Sequence, residues 1–325
     1  MDNVLTLAGQ NLLTPMILCF VLGLGAALAR SDLSVPEAAA KTMALYLLFA
    51  IGFKGGVAVR DHGLDYTVGA ALIGGVVLSF ALPFVAFALL RALSRLSATE
   101  AAAVAAHYGS ISIVTFASGT AALSLMGIEA EGYMVAVAAA MESPAIISAL
   151  WLASRGGGAS QMDSRLWREI LLNGSIVLLI GAFFIGFATG PAGLARIEAF
   201  VVSPFQGVLC LFLLDMGLVA GRGLRKAPGL ISAPLLAFGV VMPLIGAAAG
   251  FAVALVLGLS VGGTTLMMVL AASASYIAVP AAMRVALPDA NPSIALTLSL
   301  GVTFPFNITL GIPIYLAVAQ RVITG

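Results

Sequence analysis

Two polar stretches inside long apolar runs decide the fold of this chain. The first reads Ala105-Ala-His-Tyr-Gly-Ser-Ile-Ser-Ile-Val-Thr-Phe-Ala-Ser-Gly119, and the second reads Leu270-Ala-Ala-Ser-Ala-Ser-Tyr-Ile-Ala-Val-Pro280. Glycine and serine are poor residues for a helix interior, so each stretch predicts an interrupted helix. In hydrocarbon an unpaired backbone group costs several kcal/mol, so a break persists only where protein or a water-filled cavity satisfies it. The two stretches therefore predict breaks in the interior of a membrane bundle.

The composition supports this interpretation. The 325 residues are 61% hydrophobic and 9% charged, with a mean hydropathy of +1.12. Soluble domains are about 45–50% apolar and about 25% charged, so we expect an all-α polytopic membrane protein. The net charge of +1 gives no electrostatic reason to bind nucleic acid. With two histidines, two cysteines and no HExxH motif, the sequence predicts no enzyme, no zinc site and no organic cofactor.

The apolar segments predict ten transmembrane helices, because a span needs about 20 residues. The fourth, ninth and tenth segments are interrupted by polar or helix-breaking residues, so we expect interrupted helices at these three places. The ten segments are 12–29, 36–53, 67–93, 99–126, 131–153, 169–189, 198–219, 229–257, 262–286 and 292–319.

Lysine and arginine are concentrated in the loops that follow odd-numbered spans. Because these residues mark the cytoplasmic side, both termini are predicted to be periplasmic in a bacterial cytoplasmic (inner) membrane. The other loops and the termini hold only Lys54, Arg60, Arg196 and Arg321. The odd-numbered loops hold Arg30, Lys41, Arg91, Arg95, Arg155, Arg165, Arg168, Arg222, Arg225, Lys226 and Arg284.

The two halves of the chain resemble each other weakly but in the same order. Five spans per half is an odd number, so the second half must be inverted in the bilayer. We therefore predict a first five-helix repeat over 1–155, a cytoplasmic linker over 156–168 and a second, inverted five-helix repeat over 169–325; such repeats with paired breaks are typical of secondary transporters. The matching pairs are Gly52-x-x-x-Gly56 with Gly217-x-x-x-Gly221, Pro83 with Pro243, 109–112 with 273–276, and 142–144 with 303–305.

The two breaks are the candidate site for a small anion. A half-helix that begins inside the membrane presents N–H groups and the positive end of its dipole to a ligand. The alternative is that the small residues only permit close helix packing. The candidate substrate-binding residues are Gly109, Ser110, Ile111 and Ser112 in the first break, and Ser273, Ala274, Ser275 and Tyr276 in the second.

Oxygen-bearing residues in the fifth and tenth spans are the candidate cation site. Pro305 cannot donate a backbone hydrogen bond, and Thr303 and Asn307 beside it offer oxygens suited to sodium. Glu142 lies at the matching place in the fifth span and could ligate sodium or carry a proton, or could be a helix-packing acid. Asp215 is also intramembrane. His107 is either a pH sensor or a buried, hydrogen-bonded ring.

Nine short motifs are spread along nearly the whole chain. They are Ser31-Asp-Leu33, Val35-Pro-Glu37, Ile51–Gly56, His107–Ser110, Met141–Ile146, Ala272–Ile277, Pro288–Ser293, Gly301–Asn307 and Gly311–Pro313. Together these motifs resemble the sodium-dependent bicarbonate transporters of the SbtA type. The resemblance implies core and gate domains, a homotrimer, and uptake of bicarbonate with sodium by an elevator-like movement, with the substrate and sodium elements on the residues given above. It also implies a PII-like cytoplasmic regulator in cyanobacterial members, whose linker is longer than this one.

A sodium-dependent bicarbonate symporter is therefore the leading hypothesis. A site lined by glycine, serine and backbone amides suits a small anion better than a large amphipathic substrate. A symporter of another small anion, such as sulfate or a short carboxylate, is the first alternative, although a divalent anion would favour an arginine in mid-span. A channel is the second alternative, although paired breaks in repeats are not required for conduction.

Overall fold

The computed structural model describes residues 13–63, 66–155, 172, 174–226 and 232–324. Every regular element in these ranges is helical. The linker predicted over 156–168 lies outside the described residues. The helices are α1 (Pro15–Leu28), α2 (Glu37–His62), α3 (Tyr66–Leu93), α4 (Ala98–Gly109), α5 (Ile113–Leu125), α6 (Met134–Ala140), α7 (Pro144–Arg155), α8 (Gly174–Val201), α9 (Phe205–Lys226), α10 (Ala233–Leu257), α11 (Val261–Ala272), α12 (Ala278–Ala286) and α13 (Pro292–Ile323).

The helices follow the predicted spans in order along the chain. Within the described ranges, eight helical stretches are long and apolar enough to cross a membrane, and α1 and α11 are shorter apolar helices. The fourth span is divided into α4 and α5, and the ninth into α11 and α12. The interruptions predicted at these two places are therefore present, and the chain is a multi-pass membrane protein.

The interruption predicted in the tenth span is wrong. Helix α13 runs from Pro292 to Ile323 without a non-helical residue, and two π-helical segments, Ser299–Thr303 and Asn307–Gly311, flank Pro305. Proline removes one N–H from the ladder, and the wider π turns shift the hydrogen-bond register around that gap instead of ending the helix. The fifth span is divided instead, between α6 and α7, immediately before Pro144. The residue before a proline disfavours helical geometry, so Ser143-Pro144 was the available signal.

Two helix pairs are held together by the same spacing of glycines. In α2, a Cβ added to Gly56 would lie 1.9 Å from the carbonyl oxygen of Phe183 in α8. In α9, a Cβ added to Gly217 would lie 2.1 Å from the carbonyl oxygen of Phe20 in α1. The backbones of α2 and α8, and those of α1 and α9, are thus in direct contact, as small-residue motifs permit in membranes.

An arginine four residues after the second glycine completes each motif, a signal that the sequence comparison missed. Arg60 of α2 donates to the carbonyls of Phe187 and Ala188 in α8. Pro191 of α8 has no N–H, so the Phe187 carbonyl four residues earlier lacks its usual partner within the helix. Arg60 donates to this carbonyl instead. Arg225 of α9 donates to the Ala27 carbonyl at the end of α1, at 3.0 Å. Both arginines therefore satisfy backbone carbonyls of the partner helix.

The remaining helices pack into a second group, which contains the breaks of the fourth, fifth and ninth spans. Here too both halves have a hydrogen bond at a matching place, which is the residue four positions before the proline of a long helix, Pro83 in α3 and Pro243 in α10. The long helix donates this bond in the first half and accepts it in the second. Ser79 of α3 donates its hydroxyl to the Met141 carbonyl at 2.7 Å, and the Gly239 carbonyl of α10 accepts the Thr303 hydroxyl of α13 at 2.7 Å. Each contact joins a long helix to the irregular segment of the last span in its half of the chain.

We expect Gly56→Ala to destabilise the protein. The added Cβ cannot fit against the Phe183 carbonyl, so α2 and α8 must separate, at a cost of about 1–3 kcal/mol. The thermal unfolding midpoint in detergent measures the loss. Gly181→Ala in α8, where nothing lies within 4 Å of the added Cβ, is the matched control and should unfold like the wild type. Equal midpoints for the two variants would contradict the close packing.

Candidate functional site

The two interrupted helices cross at their breaks. The Ser112 N–H donates to the Ser273 hydroxyl at 2.9 Å, and the Ser275 N–H donates to the His107 carbonyl at 2.8 Å. Each break therefore supplies partners for the other's freed backbone groups, which is the condition for irregular backbone inside a membrane. Residues of the two predicted breaks therefore meet at this crossing.

Serine side chains set the local geometry of each break. Ser112 is the N-cap of α5, and its hydroxyl accepts the Thr115 N–H at 3.2 Å. Serine is preferred as an N-cap because its oxygen satisfies an N–H that the helix cannot. The N-cap of α12 is Ile277, and the Ser275 hydroxyl two residues earlier accepts the Val279 N–H at 3.5 Å. Different serines therefore end and begin the half-helices, since Ser110 and Ser273 are the C-caps of α4 and α11.

The candidate hydroxyls differ in whether their hydrogens are already used. Ser110 donates to the Glu142 carbonyl at 2.9 Å, and Ser273 donates to the Leu270 carbonyl at 2.8 Å. The Tyr276 hydroxyl is buried and, within the described part of the chain, has no hydrogen bond of ordinary geometry, although it lies beside Ser112. The Ser112 hydroxyl accepts a backbone N–H as the N-cap of α5, and the Ser275 hydroxyl accepts one in the first turn of α12. The hydroxyls of Ser112, Ser275 and Tyr276 are therefore the better donors for a ligand.

Glu142 occupies the break between α6 and α7 and is only 4% exposed. Its backbone carbonyl accepts the Ser110 hydroxyl, which ties this break to the first one. The carboxyl group is buried inside a membrane-spanning segment. An ionised carboxylate is costly in such an environment unless a cation or a proton neutralises it.

Thr303 and Asn307 each make two hydrogen bonds with described residues other than Glu142. Thr303 donates to the Gly239 carbonyl and pairs with the Tyr108 hydroxyl at 2.7 Å. The Asn307 amide donates to the Ala272 carbonyl at 2.9 Å, and its oxygen accepts the Tyr315 hydroxyl at 2.8 Å. These bonds join α13 to the last turns of α4 and α11 and to the interior of α10, and they leave an oxygen lone pair on each of the two residues for a further ligand.

Two cavities lie near opposite ends of α2. The larger, of about 680 Å³, is lined by Glu37, Arg222 and Tyr276 among others, and the smaller, of about 420 Å³, is lined by Gly55 and Glu131 among others. A rise of 1.5 Å per residue separates Glu37 from Gly55 by about 27 Å, close to the thickness of the hydrocarbon core. Tyr276 and its neighbour Ile277 line the larger cavity, whereas no described residue of either break lines the smaller one.

The sequence interpretation underestimated the residues that support the site. His107 is 2% exposed and its ring bonds to the second break, so it is a hydrogen-bonded ring of the kind considered above. Tyr108 and Tyr315 hold Thr303 and Asn307, and neither was singled out. Hydroxyl-bearing aromatic residues inside apolar spans were the available signal, because a buried tyrosine needs a partner for its hydroxyl. Asp215 is 5% exposed in α9, a helix that borders the larger cavity.

Interrupted helices that meet inside a membrane bundle define the class of secondary transporters. The family model of the Na⁺-dependent bicarbonate transporter superfamily matches residues 15–320 of the chain. The chain belongs to this superfamily, and the family predicted from the motifs is confirmed. No curated protein matches the chain at a significant level.

We expect Asn307→Leu to lower the stability more than Tyr315→Phe does. The leucine leaves both the Ala272 carbonyl and the Tyr315 hydroxyl without partners, at about 1–3 kcal/mol for each buried group, whereas the phenylalanine removes one bond. Thermal unfolding without sodium measures both changes. Adding Tyr315→Phe to Asn307→Leu should cost nothing further, and a fully additive double variant would contradict the network.

Proposed function

We propose that the protein is a symporter that imports bicarbonate together with sodium by an elevator-type alternating-access mechanism. The observation that carries this proposal is the crossing of the two breaks beside a buried Tyr276 hydroxyl that has no ordinary hydrogen bond to any described residue. Membership of the superfamily supplies sodium and bicarbonate as the expected pair. The geometry supports how this chain would hold them.

The anion is bound between residues 109–112 and 273–276. The hydroxyls of Ser112, Ser275 and Tyr276, whose hydrogens are not bonded to a described carbonyl, donate to its oxygens, and the N-terminal ends of α5 and α12 add favourable dipoles. Ser110 and Ser273 hold the two breaks in place, because their hydrogens are bonded to backbone carbonyls. A small planar anion with several acceptor oxygens and one negative charge matches this set of neutral donors.

Sodium is held by oxygens of Glu142, Thr303 and Asn307. Glu142 supplies the only charge of this set, and the Ser110 bond to its backbone supports a position next to the anion. Oxygen donors are the ligands that a hard cation prefers. Binding of sodium neutralises the carboxylate and so favours entry of an anion nearby, which couples the two solutes.

The helix pairs α1–α9 and α2–α8 form the gate domain, and the helices that carry the breaks form the core domain. Movement of the core along the gate carries the crossing from one cavity to the other. Lys and Arg placement puts the N-terminal end of α2, and with it the larger cavity, on the cytoplasmic side. Because that cavity reaches Tyr276, the conformation described here faces the cytoplasm.

The two halves act as inverted repeats in a bacterial cytoplasmic membrane, with both termini periplasmic and three copies per assembly. The recurrence of the glycine-arginine motif and of the contacts four residues before Pro83 and Pro243 supports the repeat. The trimer rests on the resemblance. We do not extend the proposal to a PII-like regulator, because the linker is short and lies outside the described residues.

Uptake of radiolabelled inorganic carbon into proteoliposomes tests the function. The assay is run at alkaline pH with an inward sodium gradient, and a potassium gradient of the same size is the control. Saturable uptake that needs sodium is the expected result. Uptake that neither saturates nor needs sodium would indicate a channel, and sodium-dependent uptake of sulfate or a short carboxylate in place of bicarbonate would change the substrate.

We expect Glu142→Gln to raise the sodium concentration for half-maximal uptake by about tenfold or more, because a neutral amide replaces a charged ligand. Glu100→Gln is the matched control. Glu100 closes a capping box with Ser97 at the start of α4, a role that glutamine also fills, so sodium dependence should not change. An unchanged sodium requirement in Glu142→Gln would remove Glu142 from the cation site.

We expect Tyr276→Phe to raise the KM for bicarbonate by about tenfold or more, because the loss of one hydrogen bond to a charged group weakens binding by about this factor. The fold should be preserved, since the Tyr276 hydroxyl makes no ordinary hydrogen bond within the part of the chain that the structure describes. Tyr66→Phe, at an exposed position on α3, is the matched control and should transport like the wild type. A normal KM in Tyr276→Phe would show that this hydroxyl does not touch the anion.

A further inference from the structure

His107 is bonded twice to a single residue of the opposite break. Its Nδ1 lies 2.6 Å from the Ser275 carbonyl oxygen, and its own carbonyl accepts the Ser275 N–H at 2.8 Å. A carbonyl can only accept, so Nδ1 carries the proton of the ring in this contact. Both backbone polar groups of Ser275 are thus satisfied by one residue of α4.

This pairing fixes the part of the second break that faces the larger cavity. Ser275 lies between Ser273, which is bonded to the first break, and Tyr276, which lines the cavity. With both its N–H and its C=O held, the peptide groups on either side of Ser275 have one orientation. The orientation of those peptide groups determines where α12 begins and where the hydroxyls of Ser275 and Tyr276 lie.

We propose that His107 is a positioning residue for the anion site, acting through the Ser275 carbonyl without touching the substrate. The effect on anion binding rests on the function proposed above. The pairing itself does not, because it concerns only the backbone of the break. Loss of the Nδ1–H leaves the Ser275 carbonyl buried without its donor, which frees the break to adopt other orientations.

The asparagine and glutamine variants separate hydrogen bonding from volume. In His107→Asn, the amide nitrogen occupies the place of Nδ1 and can donate to Ser275, although the side chain is smaller. In His107→Gln, the amide nitrogen lies near the place of Nε2, so the volume is better kept but the bond is lost. A residue that only fills space should tolerate glutamine better than asparagine.

Hydrogen–deuterium exchange of the segment containing Ser275 measures the pairing without any substrate. We expect exchange at this segment to be about tenfold faster in His107→Gln and within about twofold of the wild type in His107→Asn, the factor of ten being that of one net hydrogen bond. If His107→Gln does not fold well enough for exchange, the thermal unfolding midpoints of the two variants test the pairing, and we expect the midpoint of His107→Asn to be higher than that of His107→Gln. The reverse order in either measurement would overturn the proposal.

Bicarbonate uptake then tests the consequence for the site. We expect His107→Gln to raise the KM for bicarbonate about tenfold with little change in the maximal rate or in the sodium requirement, and His107→Asn to restore the KM. A fall in the maximal rate alone, or equal KM values in the two variants, would overturn the positioning role. If the wild type shows no sodium-dependent uptake, the proposed function fails, while the exchange order still decides the pairing.

Discussion

The structure depends on one constraint, which is that backbone polar groups inside hydrocarbon must find partners within the protein. The chain interrupts two helices at 110–112 and 273–277, where this constraint is most severe. The breaks satisfy it together, because each provides acceptors for the other's N–H groups. Backbone groups that would be unpaired in separate interrupted helices are therefore hydrogen-bonded where the two breaks cross inside the bundle.

The crossing explains why the candidate anion site contains no lysine or arginine among the residues assigned to it. Neutral donors that are held in place by caps can bind a monovalent anion without the cost of a buried cation. The remaining candidate charge is that of Glu142, which is buried and is tied to the first break through its backbone carbonyl. In the function proposed above, such a site would bind the anion well only when a cation is present, and this dependence would couple the two solutes.

Much of this arrangement could be predicted from the sequence, because apolar spans and breaks leave local signals. Hydropathy and the Gly-Ser stretches gave the order of the helices and the positions of two breaks. The continuous path of α13 could not be predicted, since π turns around Pro305 depend on whether the neighbouring helices satisfy the freed groups. The pairing of His107 with Ser275 joins residues 168 positions apart, and nothing local in the sequence indicates it.

The most direct test of the account is the location of the anion. A cryo-EM map of the protein in lipid nanodiscs with sodium bicarbonate should contain density between residues 109–112 and 273–276. That density should disappear when choline replaces sodium at the same bicarbonate concentration. Density confined to the larger cavity, or density at the crossing that does not respond to sodium, would contradict the account.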